Sequence, residues 1–349
     1  MVRRSALVTG ATGYVGSYLL RALTAAGWEV RASGRRPAIQ GPSGPPSGTS
    51  GLGDGVDYVR ADLADDDLAP LVDGVTHVFH LAGASSSKSD DDEMRRTNVV
   101  GTGRLVTAAV ASGMVERFVH MSTTAVYGEE LQLRLPVRED VEAHPSRGYG
   151  KAKWGAEEAV WAAVDDLDVV VLRPVSVYGP GAVKLVASAA LDVAIECRAG
   201  LDSVAVARDP IEQRLLHIDD LTGATVHLAV HDDAVGRAFN ITSGEYPTSH
   251  EVAGILADEF GMALELADDA ECGLSTDERA ATRDEMLAEG MTDDILFTPQ
   301  RFRFMAKANR NNRLSIDALE STGFRLTTTD TRAGIAATVA WYREQRWLL

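Results

Sequence analysis

A tyrosine and a lysine stand four positions apart in the stretch YGKAK, residues 149–153, just before an apolar, Ala-rich run. If the stretch is helical, Tyr149 and Lys153 lie one above the other on the same face, because side chains at i and i+4 are neighbours. An ammonium group beside a phenol, together with the positive ring of a nicotinamide cofactor, favours the phenolate and lowers the tyrosine pKa toward the range of a general acid or base. The pair therefore predicts proton transfer at a carbonyl oxygen, although this spacing also arises by chance in many helices.

A second segment supplies hydroxyl groups that suit the same chemistry. The stretch MSTTAVYG, residues 121–128, follows an apolar strand candidate and contains Ser122, Thr123 and Thr124. Each of these hydroxyls can bind a substrate oxygen and orient it toward Tyr149. The two segments together predict a site in which a carbonyl compound is reduced, or an alcohol oxidised, with the help of a nicotinamide cofactor.

Short apolar runs separated by helical patterns must position these side chains. Because the runs are continuously apolar rather than alternating, we expect strands buried on both faces of a parallel sheet. The predicted fold class is α/β, a Rossmann-type doubly wound parallel sheet with a smaller C-terminal substrate-binding lobe. Residues 1–175 are predicted to form the NAD(P)-binding domain and 176–349 mainly the lobe, interleaved with the sheet domain. The strand candidates are residues 5–9, 28–32, 56–60, 76–82, 117–122, 168–174 and 239–242.

Glycines join the first strand candidate to the first helix in TGATGYVG, residues 9–16. In this strand-to-helix context Gly10 permits a tight turn, Gly13 lets the backbone approach a diphosphate, and Gly16 lets the helix pack on the strand. The helix N-terminus then offers free amide donors to the phosphates. The loop predicts a dinucleotide site.

The end of the second strand predicts which cofactor is preferred. NAD sites usually have Asp or Glu there to accept from the ribose diol, whereas this chain has Ser33, Arg35 and Arg36. Two cations and a neutral donor suit a 2′-phosphate, so NADP is favoured and NAD remains the alternative. Asp62, with Leu63 beside it, is expected to meet the adenine or to cap a helix.

The composition of the chain restricts the classes of partner that it is expected to bind. The 349 residues include 51 acidic and 34 basic side chains, a net charge of −17, which opposes nucleic-acid phosphates and anionic membranes. The two cysteines are too few for a disulfide framework or a Cys-based metal site, so we expect no metal and a reducing cytoplasm. No apolar run is long enough to span a bilayer.

Two segments outside the strand candidates have a biased composition. Residues 37–55 are predicted to form a mobile loop, and the acidic residues 268–294 are predicted to form a solvated helix rather than a lid.

The joint set of motifs resembles the extended short-chain dehydrogenase/reductases of the nucleotide-sugar epimerase/dehydratase type. Besides the segments above, these are ADL, FHLAG (79–83), NVVGT (98–102), LRPVSVYGPG (172–181) and LHIDDL (216–221). The resemblance implies that Thr123 is the catalytic hydroxyl, Tyr149 the proton donor or acceptor and Lys153 its partner. It also implies a homodimer that pairs through helices near 89–112 and 149–164.

The cofactor residues expected from motif and resemblance together are Gly10, Thr12, Gly13, Tyr14, Val15, Gly16, Ser33, Arg35, Arg36, Asp62, Leu63, Leu81, Ala82, Gly83, Asn98, Ser122, Tyr149, Lys153, Pro174 and Val177. Asn98 is expected to hold the central helix or a water in the proton path. The expected substrate contacts are Ser85, Thr124, Ser176, Arg214 and His217.

Departures from the family pattern narrow the expected reaction. Dehydratases carry Asp-Glu after the catalytic threonine, where this chain has Thr124 and Ala125, so dehydration is disfavoured. The sequence therefore favours an NADP-dependent ketoreductase, of a nucleotide-activated sugar or a similar carbonyl metabolite. A nucleotide-sugar 4-epimerase, a hydroxysteroid or alcohol dehydrogenase-like reductase and a non-enzymatic cofactor sensor are the alternatives.

Overall fold

A parallel sheet of seven strands organises the first part of the molecule. The computed structural model describes residues 4–36, 56–84, 90–128, 136–267, 273–292, 313–328 and 330–349. The strand order is β10-β6-β5-β4-β1-β2-β3, and every neighbouring pair is parallel. The strands are β1 (Ser5–Thr9), β2 (Glu29–Gly34), β3 (Asp57–Arg60), β4 (His77–His80), β5 (Arg117–Met121), β6 (Asp168–Pro174) and β10 (Arg237–Ile241). The predicted fold class is confirmed.

The strand order reverses between β1 and β4, which is the switch point of a doubly wound sheet. The chain runs outward from β1 to β3 on one side and from β4 to β10 on the other. Loops leaving the carboxyl ends of β1 and β4 therefore diverge and leave a crevice between them, which is where ligands bind in sheets of this type.

Helices flank the sheet of the first unit. They are α1 (Tyr14–Ala25), α2 (Ala69–Val72), α3 (Asp91–Met94), α4 (Gly101–Ser112), α5 (Gly148–Trp161) and α7 (Ile218–Ala229), with α10 at Asp317–Ser321. Residues Arg95–Val100 form a π-helical turn between α3 and α4, and Thr124–Tyr127 form a 3₁₀ turn after β5. The stretch expected as one helix from 89 to 112 is therefore three segments within its described part.

The core of this unit lies between the sheet and helices α2, α4 and α5. Leu7, Val78, Phe118, Val169 and Val171 come from four strands and are fully buried. All five residues of β5 are buried, as expected for a central parallel strand covered on both faces. The continuous apolar runs in the sequence have this origin.

The chain divides into two compact units. The first comprises residues 1–175, 218–242 and 314–326, and the second comprises 176–217, 243–313 and 327–349. The second unit contains β7 (Ser176–Tyr178), α6 (Val186–Arg198), β8 (Ser203–Ala207), β9 (Leu215–His217), α8 (Ser249–Glu259), β11 (Ala263–Ala267), α9 (Thr276–Ala288) and α11 (Thr331–Glu344). Its strands pair as β7 with β9 and β8 with β11.

Side chains of α6, α8 and α11 form the core of the second unit, with Leu191, Ile195, Leu256, Val339 and Tyr342 among its buried members. The acidic segment predicted to be helical contains α9, and its residues 268–272 and 293–294 lie outside the described part, as does the loop predicted for 37–55. None of the helices that the structure describes has the length and apolar character needed to cross a bilayer.

Phe118→Ala should lower the free energy of unfolding of the first unit by about 3–5 kcal/mol, because it empties a fully enclosed site between the sheet and its helices. Urea denaturation followed by circular dichroism measures the effect. Val164→Ala, at a position 44% exposed, serves as the control and should change stability by less than about 0.5 kcal/mol. Equal midpoints for the two variants would contradict this account of the core.

Candidate active site

A cavity of about 440 Å³ lies at the carboxyl ends of the first-unit strands. Its lining residues are Thr9, Gly10, Thr12, Gly13, Ser33, Gly34, Arg35, Arg36, Ala61, Asp62, Leu63, Leu81, Ala82, Gly83, Ala84 and Thr97. The lining thus combines the glycine loop with residues that follow β2, β3 and β4. Eleven of the residues predicted to bind the cofactor meet here.

The glycine loop is shaped by close backbone contacts. Gly10 has φ +70°, and a Cβ there would lie 2.7 Å from the backbone nitrogen of Ala82. A Cβ at Gly16 would overlap the carbonyl oxygen of Gly10, so the first turn of α1 packs directly on the loop. Gly16 therefore shapes the loop from behind, and it does not line the cavity, nor do Tyr14 and Val15.

The end of β2 carries an unpartnered hydroxyl and two guanidinium groups. Ser33 is 1% exposed and its Oγ has no hydrogen-bond partner among the described residues. Arg35 donates to Glu93 Oε1 at 3.2 Å, and Arg36 donates to the Thr12 carbonyl at 3.4 Å. A buried hydroxyl without a partner at the wall of a cavity is the kind of group that a bound ligand satisfies.

Side chains of β3 hold the backbone of this segment. Tyr58 donates to the carbonyl of Gly34 at 3.1 Å and also to that of Arg36, while Arg60 donates to the carbonyl of Arg35 at 2.9 Å. Three successive carbonyls are thus turned toward β3. The path of the chain past Arg35 and Arg36 is fixed by its neighbour strand, and not by the arginines themselves.

Asp62, in the loop after β3, caps a turn and lines the cavity. Its Oδ1 accepts from the amide of Ala64 at 2.9 Å, and its Oδ2 accepts from Arg96 at 3.4 Å. Asp62 caps this turn and not a helix, since α2 begins at Ala69 with Leu68 at its N-cap, and the carboxylate lines the cavity beside Leu63.

The π-helical turn brings two adjacent side chains to the cavity region. Thr97 lines the cavity, and its buried hydroxyl has no partner among the described residues. Asn98 is 1% exposed, accepts from the Ala84 amide at 2.7 Å and donates to the Ala84 carbonyl at 3.0 Å. Asn98 therefore fixes the chain that leaves β4, including Gly83 and Ala84.

A buried histidine fixes the start of the same loop. His80 Nδ1 lies 2.8 Å from Thr9 Oγ1, and His80 Nε2 lies 2.8 Å from Thr102 Oγ1. Thr9 Oγ1 in turn accepts from the Ala82 amide at 3.3 Å. Burial lowers the pKa of His80 to about 3, so the ring is neutral and acts as a spacer between β1 and α4.

Tyr149 and Lys153 lie one turn apart on α5. Lys153 is 5% exposed and its Nζ donates to the carbonyl of Met121 at 2.8 Å. A Cβ added at Gly83 would lie 3.4 Å from Nζ, so the lysine end reaches the residues that line the cavity. Tyr149 is partly buried against Ala84, Met94 and Ala152.

The ionisation of the pair differs from the expectation drawn from spacing. Burial raises the pKa of Tyr149 to about 12, and no lowering by Lys153 accompanies it. Burial also lowers the pKa of Lys153 to about 8, while the charge of Glu157 acts in the opposite direction. The expected lowering of the tyrosine pKa counted the positive nicotinamide ring together with the lysine, and the lysine alone does not produce it. Tyr149 is a neutral phenol at pH 7.

The three hydroxyls after β5 have different surroundings. Thr123 begins the 3₁₀ turn and accepts from the Ala125 amide at 3.3 Å. Thr124 donates to the Pro174 carbonyl at 3.4 Å. Ser122 is buried, donates to Glu157 and is not among the residues that line the cavity. The Ser122 hydroxyl is directed to a carboxylate inside the fold because that charge requires donors.

Four of the predicted residues belong to the second unit. Ser176, Val177 and His217 lie in the paired strands β7 and β9 of the second unit, with Arg214 directly before β9. His217 is 8% exposed and makes an edge contact with Tyr178. Ser85 lies outside the described residues.

Sequence reasoning did not find every lining residue. Thr9, Gly34, Ala61, Ala84 and Thr97 were not predicted. The positions of Thr9, Gly34 and Ala61 could have been predicted, since each ends a strand or comes one residue after it. The carboxyl ends of these parallel strands meet at the cavity. No feature of the sequence marked Thr97 as a lining residue, because its position depends on the π-helical turn.

The cavity fits the cofactor that the fold implies. Two buried hydroxyls without partners, Ser33 and Thr97, line it, and the space beside Gly10 admits no side chain. Three or more His, Cys, Asp or Glu side chains are nowhere grouped as a metal site in the part of the chain described. The fold and cavity define the class, an extended short-chain dehydrogenase/reductase with a nicotinamide cofactor.

Comparison with known proteins identifies the family. The model of the NAD dependent epimerase/dehydratase family matches residues 6–242, and the chain belongs to this family of enzymes. The predicted resemblance is confirmed.

Three relatives illustrate the range of the family. GDP-6-deoxy-D-mannose reductase of Pseudomonas aeruginosa is 27% identical over 270 residues, 75% of this chain and 82% of that protein. The dTDP-6-deoxy-L-talose 4-dehydrogenase (NAD(P)+) of Kitasatospora kifunensis is 31% identical, over 75% of this chain and 80% of that protein. The solved structure of MoeE5 in complex with UDP-glucose and NAD is 26% identical, has a TM-score of 0.71, and covers 98% of this chain and 99% of that chain.

Asn98→Ala should weaken NADP⁺ binding about tenfold, because the buried amide and carbonyl of Ala84 lose their partners and the cavity wall loosens. Isothermal titration calorimetry measures the dissociation constant. Thr107→Ala is the control, since the Thr107 hydroxyl is exposed on α4 and bonds only to the carbonyl of Gly103. Unchanged affinity in Asn98→Ala would show that Asn98 does not hold the wall.

Proposed function

We propose that the protein is an NADP-dependent oxidoreductase that reduces a keto group, at C4 of a nucleotide-activated sugar or in a similar carbonyl metabolite. The observation that carries the proposal is the end of β2, where Ser33, Arg35 and Arg36 line the cavity and Ser33 Oγ is buried without a partner among the described residues. The proposed setting is a cytoplasmic homodimer.

Charge at the cavity supports the phosphorylated cofactor. Asp62 is the one carboxylate among the lining residues, and it already accepts from the Ala64 amide and from Arg96. An anionic 2′-phosphate near Arg35 and Arg36 gains charge-assisted hydrogen bonds, and the Ser33 hydroxyl gains a partner. A ribose diol would find no free carboxylate at the β2 end to accept its hydrogens.

The bound nicotinamide would supply the hydride for the substrate carbon, and the protein's own groups would then handle the oxygen. In this proposal Thr123 orients the carbonyl oxygen, and Tyr149 donates its proton to that oxygen as negative charge develops. Because burial raises the Tyr149 pKa to about 12, the phenol holds its proton through neutral pH. That is the form needed for reduction.

Lys153 is proposed to provide positive charge beside Tyr149 and to bind the nicotinamide ribose. Its place next to Gly83 supports this role, since Gly83 belongs to the cavity wall. With the pKa lowered by burial to about 8, the ammonium form dominates at pH 7 and is lost as the pH rises above about 8. The rate of reduction should therefore fall on the alkaline side as Lys153 deprotonates.

The substrate contacts are proposed from the two units taken separately. Thr124 lies beside Thr123 in the first unit, and Ser176, Arg214 and His217 lie in or next to the β7 and β9 pair of the second. The relatives support a nucleotide sugar, since two of them are named for nucleotide-linked 6-deoxy sugars and MoeE5 is in complex with UDP-glucose.

A nucleotide-sugar 4-epimerase is the second candidate, because MoeE5 is in complex with NAD and the family model covers epimerases. An epimerase keeps its cofactor through an oxidation and a reduction, whereas a reductase exchanges it at each turnover. Native mass spectrometry of the freshly purified protein separates the two. Fully retained NAD favours the epimerase, and an empty site that fills with NADPH rather than NADH favours the reductase.

Tyr149→Phe should lower turnover by a factor of about 10²–10⁴, because the proton donor is lost, while NADPH affinity stays within about twofold. Absorbance at the nicotinamide band follows oxidation of dTDP-6-deoxy-L-talose by NADP⁺ and the reverse reaction. If a panel of nucleotide-linked and non-sugar ketones is reduced equally fast by wild type and variant, the proposed role of Tyr149 is wrong.

Arg36→Ala should weaken NADPH binding about tenfold or more and leave NADH binding unchanged, since a charge-assisted bond to the 2′-phosphate is lost. Tryptophan fluorescence titration with each cofactor measures the ratio of affinities. Arg21→Ala, which removes an exposed guanidinium of α1 stacked on Tyr18, is the matched control. Equal losses for both cofactors would contradict recognition of the 2′-phosphate by Arg36.

A further inference from the structure

Glu157 is a carboxylate sealed inside the first unit. It lies on α5 one turn beyond Lys153, and its side chain is 0% exposed. A charge so far from water is costly unless donors surround it. The presence of this carboxylate one turn beyond Lys153 therefore requires a structural explanation.

Arg173 of β6 supplies most of the donors. Its Nη2 lies 2.7 Å from Glu157 Oε2, and its Nε lies 3.1 Å from Oε1 and 3.2 Å from Oε2. The other guanidinium nitrogen, Nη1, donates to Tyr127 Oη at 2.9 Å, and Tyr127 donates to Asn240 Oδ1 at 2.8 Å. The ion pair is thus part of a hydrogen-bonded chain from α5 to β10.

Ser122 supplies the remaining donor, through its hydroxyl to Glu157 Oε1. Ser122 stands between Met121 and Thr123. The Met121 carbonyl accepts from Lys153 Nζ at 2.8 Å, and Thr123 begins the 3₁₀ turn. Two side chains of α5, Lys153 and Glu157, therefore hold consecutive residues of one short segment.

We propose that Glu157 is a positioning residue that fixes residues 121–123 against α5 and keeps Lys153 in its ammonium form. The proposal rests on the roles of Lys153 and Thr123 in the proposed function. Glu157 acts through these two residues and does not itself face the cavity lining.

Burial and Glu157 act on the ionisation of Lys153 in opposite directions. Burial lowers the lysine pKa and the charge of Glu157 raises it, and together they place it at about 8. His80 and His120 lie near Lys153 on neighbouring strands, but burial lowers the pKa of both rings, so they are neutral at pH 7. Tyr149 is neutral as well.

The remaining charged groups on α5 and on the elements packed against it are Asp91, Asp92, Glu93, Arg95, Arg96, Arg104, Lys151, Glu158, Asp168 and Arg173. Several have partners of their own, since Glu93 binds Arg35, Arg96 binds Asp62, and Arg173 binds Glu157. Glu157 is the buried carboxylate of α5 next to Lys153 in the helical repeat.

The lysine content of the chain permits a direct test. The sequence contains five lysines, Lys88, Lys151, Lys153, Lys184 and Lys307. Protein labelled with ¹³C at lysine Cε gives one signal for each, and the signal absent from Lys153→Arg belongs to Lys153. The Cε shift reports Nζ deprotonation, so a pH titration of the NADP⁺-bound protein yields the Lys153 midpoint without any substrate.

Glu157→Gln should lower the Lys153 midpoint by about one pH unit or more, since it keeps an acceptor for Ser122 but removes the charge. Ser122→Ala keeps the charge and should leave the midpoint unchanged while lowering kcat for oxidation of dTDP-6-deoxy-L-talose. Glu158→Gln, an exposed change one residue along the helix, should alter neither value. An unshifted midpoint in Glu157→Gln overturns the proposal, as does an equal shift in Glu158→Gln.

Loss of the buried ion pair can prevent folding of the single variant. Glu157→Gln combined with Arg173→Gln removes both charges together and retains amide partners, so it serves as the second variant. Because the double variant also removes the positive charge of Arg173, the Lys153 midpoint should fall by less than in Glu157→Gln, and a midpoint higher than that of wild type overturns the proposal. Because the titration needs no substrate, its outcome is separate from the identity of the carbonyl compound reduced.

Discussion

The closeness of two backbones at the switch point of the sheet is the constraint on which the cavity depends. The loop after β1 passes so near Ala82 that a Cβ at Gly10 would lie 2.7 Å from a backbone nitrogen, and α1 begins directly against the same loop at Gly16. No side chain fills this space, so peptide groups form that wall of the cavity. Neighbouring side chains fix this backbone through hydrogen bonds. Thr9 Oγ1 accepts from the Ala82 amide, and Asn98 binds both the amide and the carbonyl of Ala84.

The sheet and the glycine loop could be predicted because their signals are local. β1 and β6 have the bounds predicted from their apolar runs, and Gly10, Gly13 and Gly16 fall between β1 and the body of α1 as the motif requires. The ends of the second and third strands then located Ser33 and Asp62, since carboxyl ends of parallel strands meet at one edge, and Leu81 came from the family resemblance. For Ser33 and Asp62, sequence order, strand direction and the known reversal of strand order were enough.

Other features needed contacts between distant parts of the chain. The local sequence does not indicate that Glu157 bonds to Ser122 and Arg173. It also does not indicate that Tyr127 bonds to Asn240, which lies 113 positions away. The protonation of Tyr149 in the protein alone has a related origin. Spacing on a helix gives proximity to Lys153, but burial, which raises the Tyr149 pKa to about 12, belongs to the assembled fold. The π-helical turn within the helical stretch 91–112 could not be predicted either, because such a turn leaves no clear mark in the pattern of apolar residues.

That turn, Arg95–Val100, has a consequence for how the chain is read. A widened turn inserts an extra residue into the helical repeat, so side chains on either side of it are out of phase by about one position. Thr97 and Asn98 are adjacent in sequence, yet Thr97 lines the cavity while Asn98 binds the loop at Ala84. After the turn, Leu105 and Ala109 of α4 pack in the core. An alignment that treats 91–112 as one uniform helix would misassign the facing of every residue on one side of the turn.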